Sequence, residues 1–232
     1  ESGHAIVGLI VEHADPVDKV TIIPRGFSLG ATHFLPKKNR LSYWRKEVLD
    51  QLAVLMGGRC AEEIFLEDVS SGAQQDFTQA TKLARSMVCQ WGMSDALGNV
   101  AYDESGDNGN GFSGFPYHEK SYSEQTAKAI DDEVRKLLEK AHDRAKEIII
   151  THKEAIEKMT EMLMEYETLD AQDIRDILNH EWDDEKKKKR LRDADDLFKS
   201  PPSGPPPPPK FPSELDEQPR TDNDAGLGIA ET

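Results

Sequence analysis

The residues best suited to chemistry open the chain: Glu1-Ser2-Gly3-His4, followed by Ala5-Ile6-Val7. Glu-x-x-His alone is a weak pattern. With a histidine immediately before Glu1 it becomes His-Glu-x-x-His. Two imidazoles at i and i+4 then share one helix face and can hold a zinc ion, while the carboxylate between them acts as general base toward water. Such a site needs a buried, rigid helix, and the apolar run after His4 supplies one. It also needs a third protein ligand. The acids placed near helix starts or mid-helix on the interior side are Glu62, Glu63 and Asp76. Asp76 follows a turn of small residues, Ser71-Gly72-Ala73, which lets a carboxylate approach a metal closely. Residue chemistry alone leaves Asp76 and Glu62 both open.

The elements that would position these residues read mainly as helices. Residues 1–13 carry apolar positions at helical spacing, and Pro16 ends them. The β-branched residues 20–23 read as a strand ending at Pro24, and residues 27–34 as a second extended piece. Pro36 to Arg40 reads as a basic loop. Residues 43–66 form a long helix whose Gly57-Gly58 pair implies close packing against another backbone. A second helix covers about 73–91, with Gly92 as its stop. Residues 103–116 are Gly-rich and read as a loop. Three helices follow: Ser123 caps the first, Ile156, Met159 and Leu163 mark the second, and Asp170 or Thr168 caps the third. They read as an antiparallel appendix over 121–182.

The net charge of −15 works against binding a phosphate backbone, so nucleic acid is not an expected partner. Residues 183–232 have too few apolar side chains for a core and include the tract Pro205 to Pro209; they read as a disordered, charged, Pro-rich tail. Two cysteines, Cys60 and Cys89, make no disulfide framework and read as small core residues. Trp44 and Trp91 read as packing anchors, and Met159, Met162 and Met164 as core filler. The remaining histidines, His13, His33, His118, His142, His152 and His180, lie outside ligand spacing. The first residue is not Met, so the chain reads as the downstream part of a longer one, cut inside the motif; no run approaches the ~20 apolar residues of a membrane span.

Six ordered blocks carry a family resemblance: Glu1-Ser2-Gly3-His4-Ala5, Pro24-Arg25-Gly26-Phe27-Ser28-Leu29-Gly30-Ala31-Thr32, Gly57-Gly58-Arg59-Cys60-Ala61-Glu62-Glu63, Ser71-Gly72-Ala73-Gln74-Gln75-Asp76, Tyr122-Ser123-Glu124-Gln125-Thr126-Ala127 and Glu167-Thr168-Leu169-Asp170-Ala171. Through them the chain, to about Leu178, resembles the peptidase part of the FtsH-type proteases, membrane-anchored AAA+ zinc metalloproteases. The resemblance implies a mainly α-helical zinc-peptidase domain over 1–182 with a small β element near its N-terminus. It implies Glu1 as general base, with His4 and Asp76 as zinc ligands and the first His just ahead of Glu1. Glu62 becomes a carboxylate that orients a ligating imidazole. It further implies a homo-hexamer that degrades unfolded polypeptides, with an ATP-binding module and a membrane anchor further upstream, and the peptidase in the cytoplasm or an organelle interior. The alternative is an inactive oligomerisation domain with an incomplete metal site; without the preceding histidine, one His and one Asp would hold zinc poorly.

Overall fold

The computed structural model describes residues 1–24, 26, 29–36, 42–102 and 122–199, the last six by backbone alone. The Gly-rich stretch 103–116, the basic loop beyond Pro36 and the proline tract lie outside the described residues. In chain order the elements are α1 (Ser2–Ile10), β1 (Val17–Thr21), β2 (Ala31–Phe34), α2 (Arg45–Ala61), α3 (Gln74–Arg85), α4 (Glu124–Thr151), α5 (Lys153–Tyr166), β3 (Thr168–Asp170), α6 (Ala171–Leu178) and α7 (Asp184–Lys199). α2 and α3 each end in a π-helical turn, Glu62–Leu66 and Ser86–Gln90, and a 3-10 turn, Ser71–Ala73, leads into α3. The architecture is mainly helical with a small sheet, as expected.

Among the described residues three antiparallel strands form that sheet, in the order β2-β1-β3. Val20 sits opposite Thr32 on one side and Leu169 on the other. β1 begins earlier than the β-branched run implies, because its pairing with β2 starts at Val17 opposite Phe34; Ile22 lies beyond the strand, its N–H donating to the Glu167 carbonyl at 2.9 Å. β3 has no counterpart in the sequence reading: three residues hold no period, and only the long-range pairing creates it.

One hydrophobic core runs through the helices. Ala5, Ile6 and Val7 of α1, Val48 and Leu52 of α2, Met87 in the turn after α3, Ile130 and Ile149 of α4 and Met159 of α5 are fully enclosed in it. The expected helical appendix is therefore part of the same packing, and contacts divide the chain into Glu1–Lys187 and Lys188–Thr232. Of the second unit, the described residues continue α7. Helix starts follow the sequence: the Ser123 hydroxyl accepts from Thr126 N at 3.2 Å. Asp170, not Thr168, caps α6, accepting from Gln172 N at 2.8 Å and Asp173 N at 2.9 Å.

Three expectations are corrected. The sequence after Trp182 reads as disordered, yet 184–199 are helical; Asp183 accepts from Glu185 N at 2.9 Å to start the turn, and the buried Lys187 ammonium pairs with buried Asp173. Trp44 is 72% exposed and Trp91 36% exposed, so neither anchors the core; Trp91 instead stacks on Tyr43 with centroids 5.4 Å apart. Met159 and Met162 fill the core, but Met164 points outward at 74% exposure.

Candidate metal centre

The site begins with a backbone contact. A Cβ on Gly3 would stand 2.3 Å from the Gly57 carbonyl oxygen, and one on Gly57 would stand 2.8 Å from the Gly3 oxygen. Two glycines thus let α1 and α2 cross with no side chain between them, as the Gly-Gly pair implies. The crossing sets His4 beside α2, where its Nδ1 donates to the Val54 carbonyl at 2.8 Å. A carbonyl only accepts, so Nδ1 carries the hydrogen, which leaves Nε2 as the nitrogen able to offer a lone pair to a metal. Gly58 lies against that nitrogen; a Cβ there would come within 2.3 Å of it. The Nε2 atom ends 3.6 Å from Asp76 Oδ2.

Asp76 reaches this point because the 3-10 turn Ser71–Ala73 delivers it in the first turn of α3. Burial pushes its carboxyl above the ordinary carboxylate range; the His4 ring pulls the other way, and the nearby Glu1 charge adds to the rise. Glu1 stands at the head of α1, its Oε2 accepting from the Thr32 hydroxyl at 2.8 Å. The three residues line a cleft of about 430 Å³ with Gly30, Thr32, Phe34, Val54 and Leu55 among its walls.

The donors fit zinc. Bonds of about 2.0–2.2 Å at a tetrahedral angle put two donors about 3.3–3.6 Å apart, which matches His4 and Asp76. The ring tautomer is fixed by an outer hydrogen bond, as ligating histidines require. A cation would also offset the burial and the lesser Glu1 charge that raise Asp76. Among the described residues no group of three or more His, Cys, Asp or Glu side chains is arranged to hold a metal, so these two donors need a third from elsewhere.

The other acids are spoken for. Glu62 accepts from the Ser70 hydroxyl and from Ser70 N at 3.2 Å, and the hydroxyl bond holds it below the usual carboxylate range against its partial burial. Glu63 bridges Arg59 Nε and His142 Nε2, each at 3.1 Å. His13 joins Asp50 at 3.3 Å, and Asp50 also pairs with Arg144. Burial raises the Cys60 thiol to about 12, so it is no thiolate ligand at neutral pH. The sequence reading misses Thr32 and Gly30 at Glu1 and the Val54 carbonyl at His4. A backbone acceptor leaves no mark in a sequence, whereas Gly30 and Thr32 share a strand face by period-two spacing and are legible to that extent.

The model of peptidase family M41 matches residues 1–177. The chain is 67% identical over 187 residues to the ATP-dependent zinc metalloprotease FtsH of Chlamydia trachomatis serovar L2, covering 80% of this chain and 20% of that protein. It is 64% identical over 184 residues to the protein of the same name from Protochlamydia amoebophila, covering 79% and 20%. With the ATP-dependent zinc metalloprotease FtsH 2 of Methylacidiphilum infernorum the figures are 49% over 179 residues, 77% and 28%. The chain thus spans between 20% and 28% of the length of these relatives. A match over three quarters of its residues, running from the helix of Glu1 and His4 through Asp76 to α6, means that this chain belongs to peptidase family M41.

Proposed function

We propose that the chain is the proteolytic portion of an ATP-dependent zinc metalloendopeptidase. The observation that carries the reading is the 3.6 Å approach of His4 Nε2 to Asp76 Oδ2 with Glu1 beside them. His4 and Asp76 would hold the zinc, together with a histidine one residue ahead of Glu1. Glu62 shares a wall with Glu1 and Ser2 and is suited to fix that imidazole from its outer nitrogen. Zinc supplies Lewis acidity for water and for the scissile carbonyl. The Glu1 carboxylate takes the proton of the attacking water and returns it to the leaving amine. β2 is an edge strand beside the cleft, so an extended polypeptide can pair with its backbone, a mode of binding that tolerates any sequence.

Unfolded polypeptides are the substrates this arrangement suits. In the full-length protein the chain works as a homo-hexamer fed by an upstream ATP-binding module and tethered to a membrane by a segment upstream of that, with the peptidase in the cytoplasm or an organelle interior. The four fifths of the Chlamydia relative outside the match leave room for such a module, and the word ATP-dependent in its name supports one. No described helix is long and apolar enough to cross a membrane.

The test is zinc content and casein degradation in full-length variants. Glu1→Gln keeps its zinc and loses proteolysis; Asp76→Ala loses zinc; Glu62→Ala weakens zinc about 10- to 100-fold. Proteolysis that survives Glu1→Gln, or zinc held as tightly after Asp76→Ala as before, overturns the assignment. Full-length protein that binds no zinc and assembles normally favours the oligomerisation domain.

A further inference from the structure

We infer that Thr32, with Gly30, positions the Glu1 carboxylate for proton transfer, a role that rests on the reading of Glu1 as general base. Thr32 acts through Glu1 and is a positioning residue. Its hydroxyl lies 2.8 Å from Glu1 Oε2 and 3.3 Å from the Glu1 carbonyl oxygen. A carboxylate only accepts, so the hydroxyl donates, and one oxygen of Glu1 is held while Oε1 is left for the reaction.

The strand explains why these two positions act together. Residues 30 and 32 face the same side by the period of two. A Cβ on Gly30 would stand 2.9 Å from Glu1 Cγ and 2.9 Å from the Thr21 carbonyl oxygen. Glycine therefore admits the Glu1 methylenes, and the next residue on that face supplies the donor. Pairing of Val20 with Thr32 and of Thr21 with Ala31 holds this stretch against β1, so the donor rides on a fixed strand.

The Glu1 carboxylate is engaged across the cleft, where its Oε2 accepts from the Thr32 hydroxyl. A glutamate left to its three rotatable bonds samples many positions; proton transfer needs one, within hydrogen-bond reach of the reacting water.

The test uses full-length, zinc-loaded protein and a short unfolded peptide substrate. Thr32→Val keeps the β-branched shape and removes the donor; Thr32→Ser keeps the donor. The expected result is a fall in kcat of about tenfold or more for Thr32→Val, the worth of a hydrogen bond to a charged group. KM and zinc content stay within about twofold of wild type, and Thr32→Ser recovers most of kcat. Crystals of zinc-loaded Thr32→Val show the Glu1 carboxylate in more than one rotamer. In a Glu1→Gln background Thr32→Val has no further effect. Wild-type kcat in Thr32→Val, an equal fall in Thr32→Ser, or an additional loss in the Glu1→Gln background overturns the inference. Full activity in Glu1→Gln alone overturns instead the general-base reading on which it stands.

Discussion

The α1–α2 crossing and the α4–α6 layer are held together in opposite ways. At the crossing two backbones touch at Gly3 and Gly57, and the room is so small that one methyl group does not fit. In the layer, large side chains do the work: Ile130 and Ile149 from α4, Ile156 and Met159 from α5, Ile174 from α6. The layer also encloses an ion pair, Asp173 with Lys187, both buried. A backbone contact has no rotamers to redistribute, so it fixes the distance between helices. Side-chain packing fixes volume and lets the axes adjust. His4, proposed above as a zinc ligand, sits at the first kind of contact, and Asp76 meets it from α3; the large buried side chains lie in the second.

The largest loss of stability should come from the layer. Asp173 accepts from Asp170 N at 2.9 Å and pairs with Lys187, so Asp173→Ala strands a buried ammonium and should cost about 3–5 kcal/mol in urea unfolding. Adding Lys187→Met should recover part of it; a double variant no better than the single would show that the charge is not what matters. Ile149→Ala, at a fully buried site, should cost about 2–5 kcal/mol, and Ile149→Val about 0.5–1.5. Both Ile149 variants should keep wild-type zinc affinity while folded. If zinc weakens along with stability in Ile149→Ala, the two regions are not separable.

At the crossing the order of effects reverses. Alanine is the better helix former by about 1 kcal/mol, but the added methyl at Gly57 meets the Gly3 backbone, and overpacking of this kind costs about 1–3 kcal/mol. Gly57→Ala should therefore unfold more easily than wild type by less than Ile149→Ala does, yet lose zinc, because α1 must move and carries His4 with it. Metal content of the purified variant reads this directly. Retained zinc would mean that the helices can separate without disturbing the site.

Much of this contrast is visible in the sequence, for reasons that differ by region. Apolar stripes and caps at Ser123 and Asp170 are local, so α2 and α3 with their π-helical turns are read within a residue or two, and so are the starts of α4 and α6. Gly57-Gly58 inside a helical pattern already signals a close backbone. The site is harder. His4 and Asp76 lie far apart in the chain, and acids of the same type at Glu62 and Glu63 are distinguishable only once Ser70, Arg59 and His142 are seen to engage them. β3 exists only through pairing with residues near position 20. α7 has almost no apolar stripe and reads as tail because its buried Lys187 is a cation whose partner lies in α6.

The smallest expected change in stability falls at the next residue along α2, and it separates packing from chemistry most cleanly. Gly58 meets the far end of the His4 ring rather than the backbone of α1; a methyl added there would stand 2.3 Å from Nε2. A ring can turn away where a backbone cannot. Gly58→Ala should thus stay within about 1 kcal/mol of wild type, and the gain in helix propensity tends to make it the more stable protein. The turn of the ring nevertheless breaks the 3.6 Å approach to Asp76 and strains the bond from Nδ1 to the Val54 carbonyl. Zinc affinity should fall about tenfold or more, the scale set by disturbing the groups that orient a ligand. Titration with a competing chelator, run beside urea unfolding of the same sample, reads both quantities. Unchanged zinc affinity would show that His4 does not need the space Gly58 leaves; a loss of stability as large as that of Gly57→Ala would show that α1 and α2 meet at both glycines rather than at one.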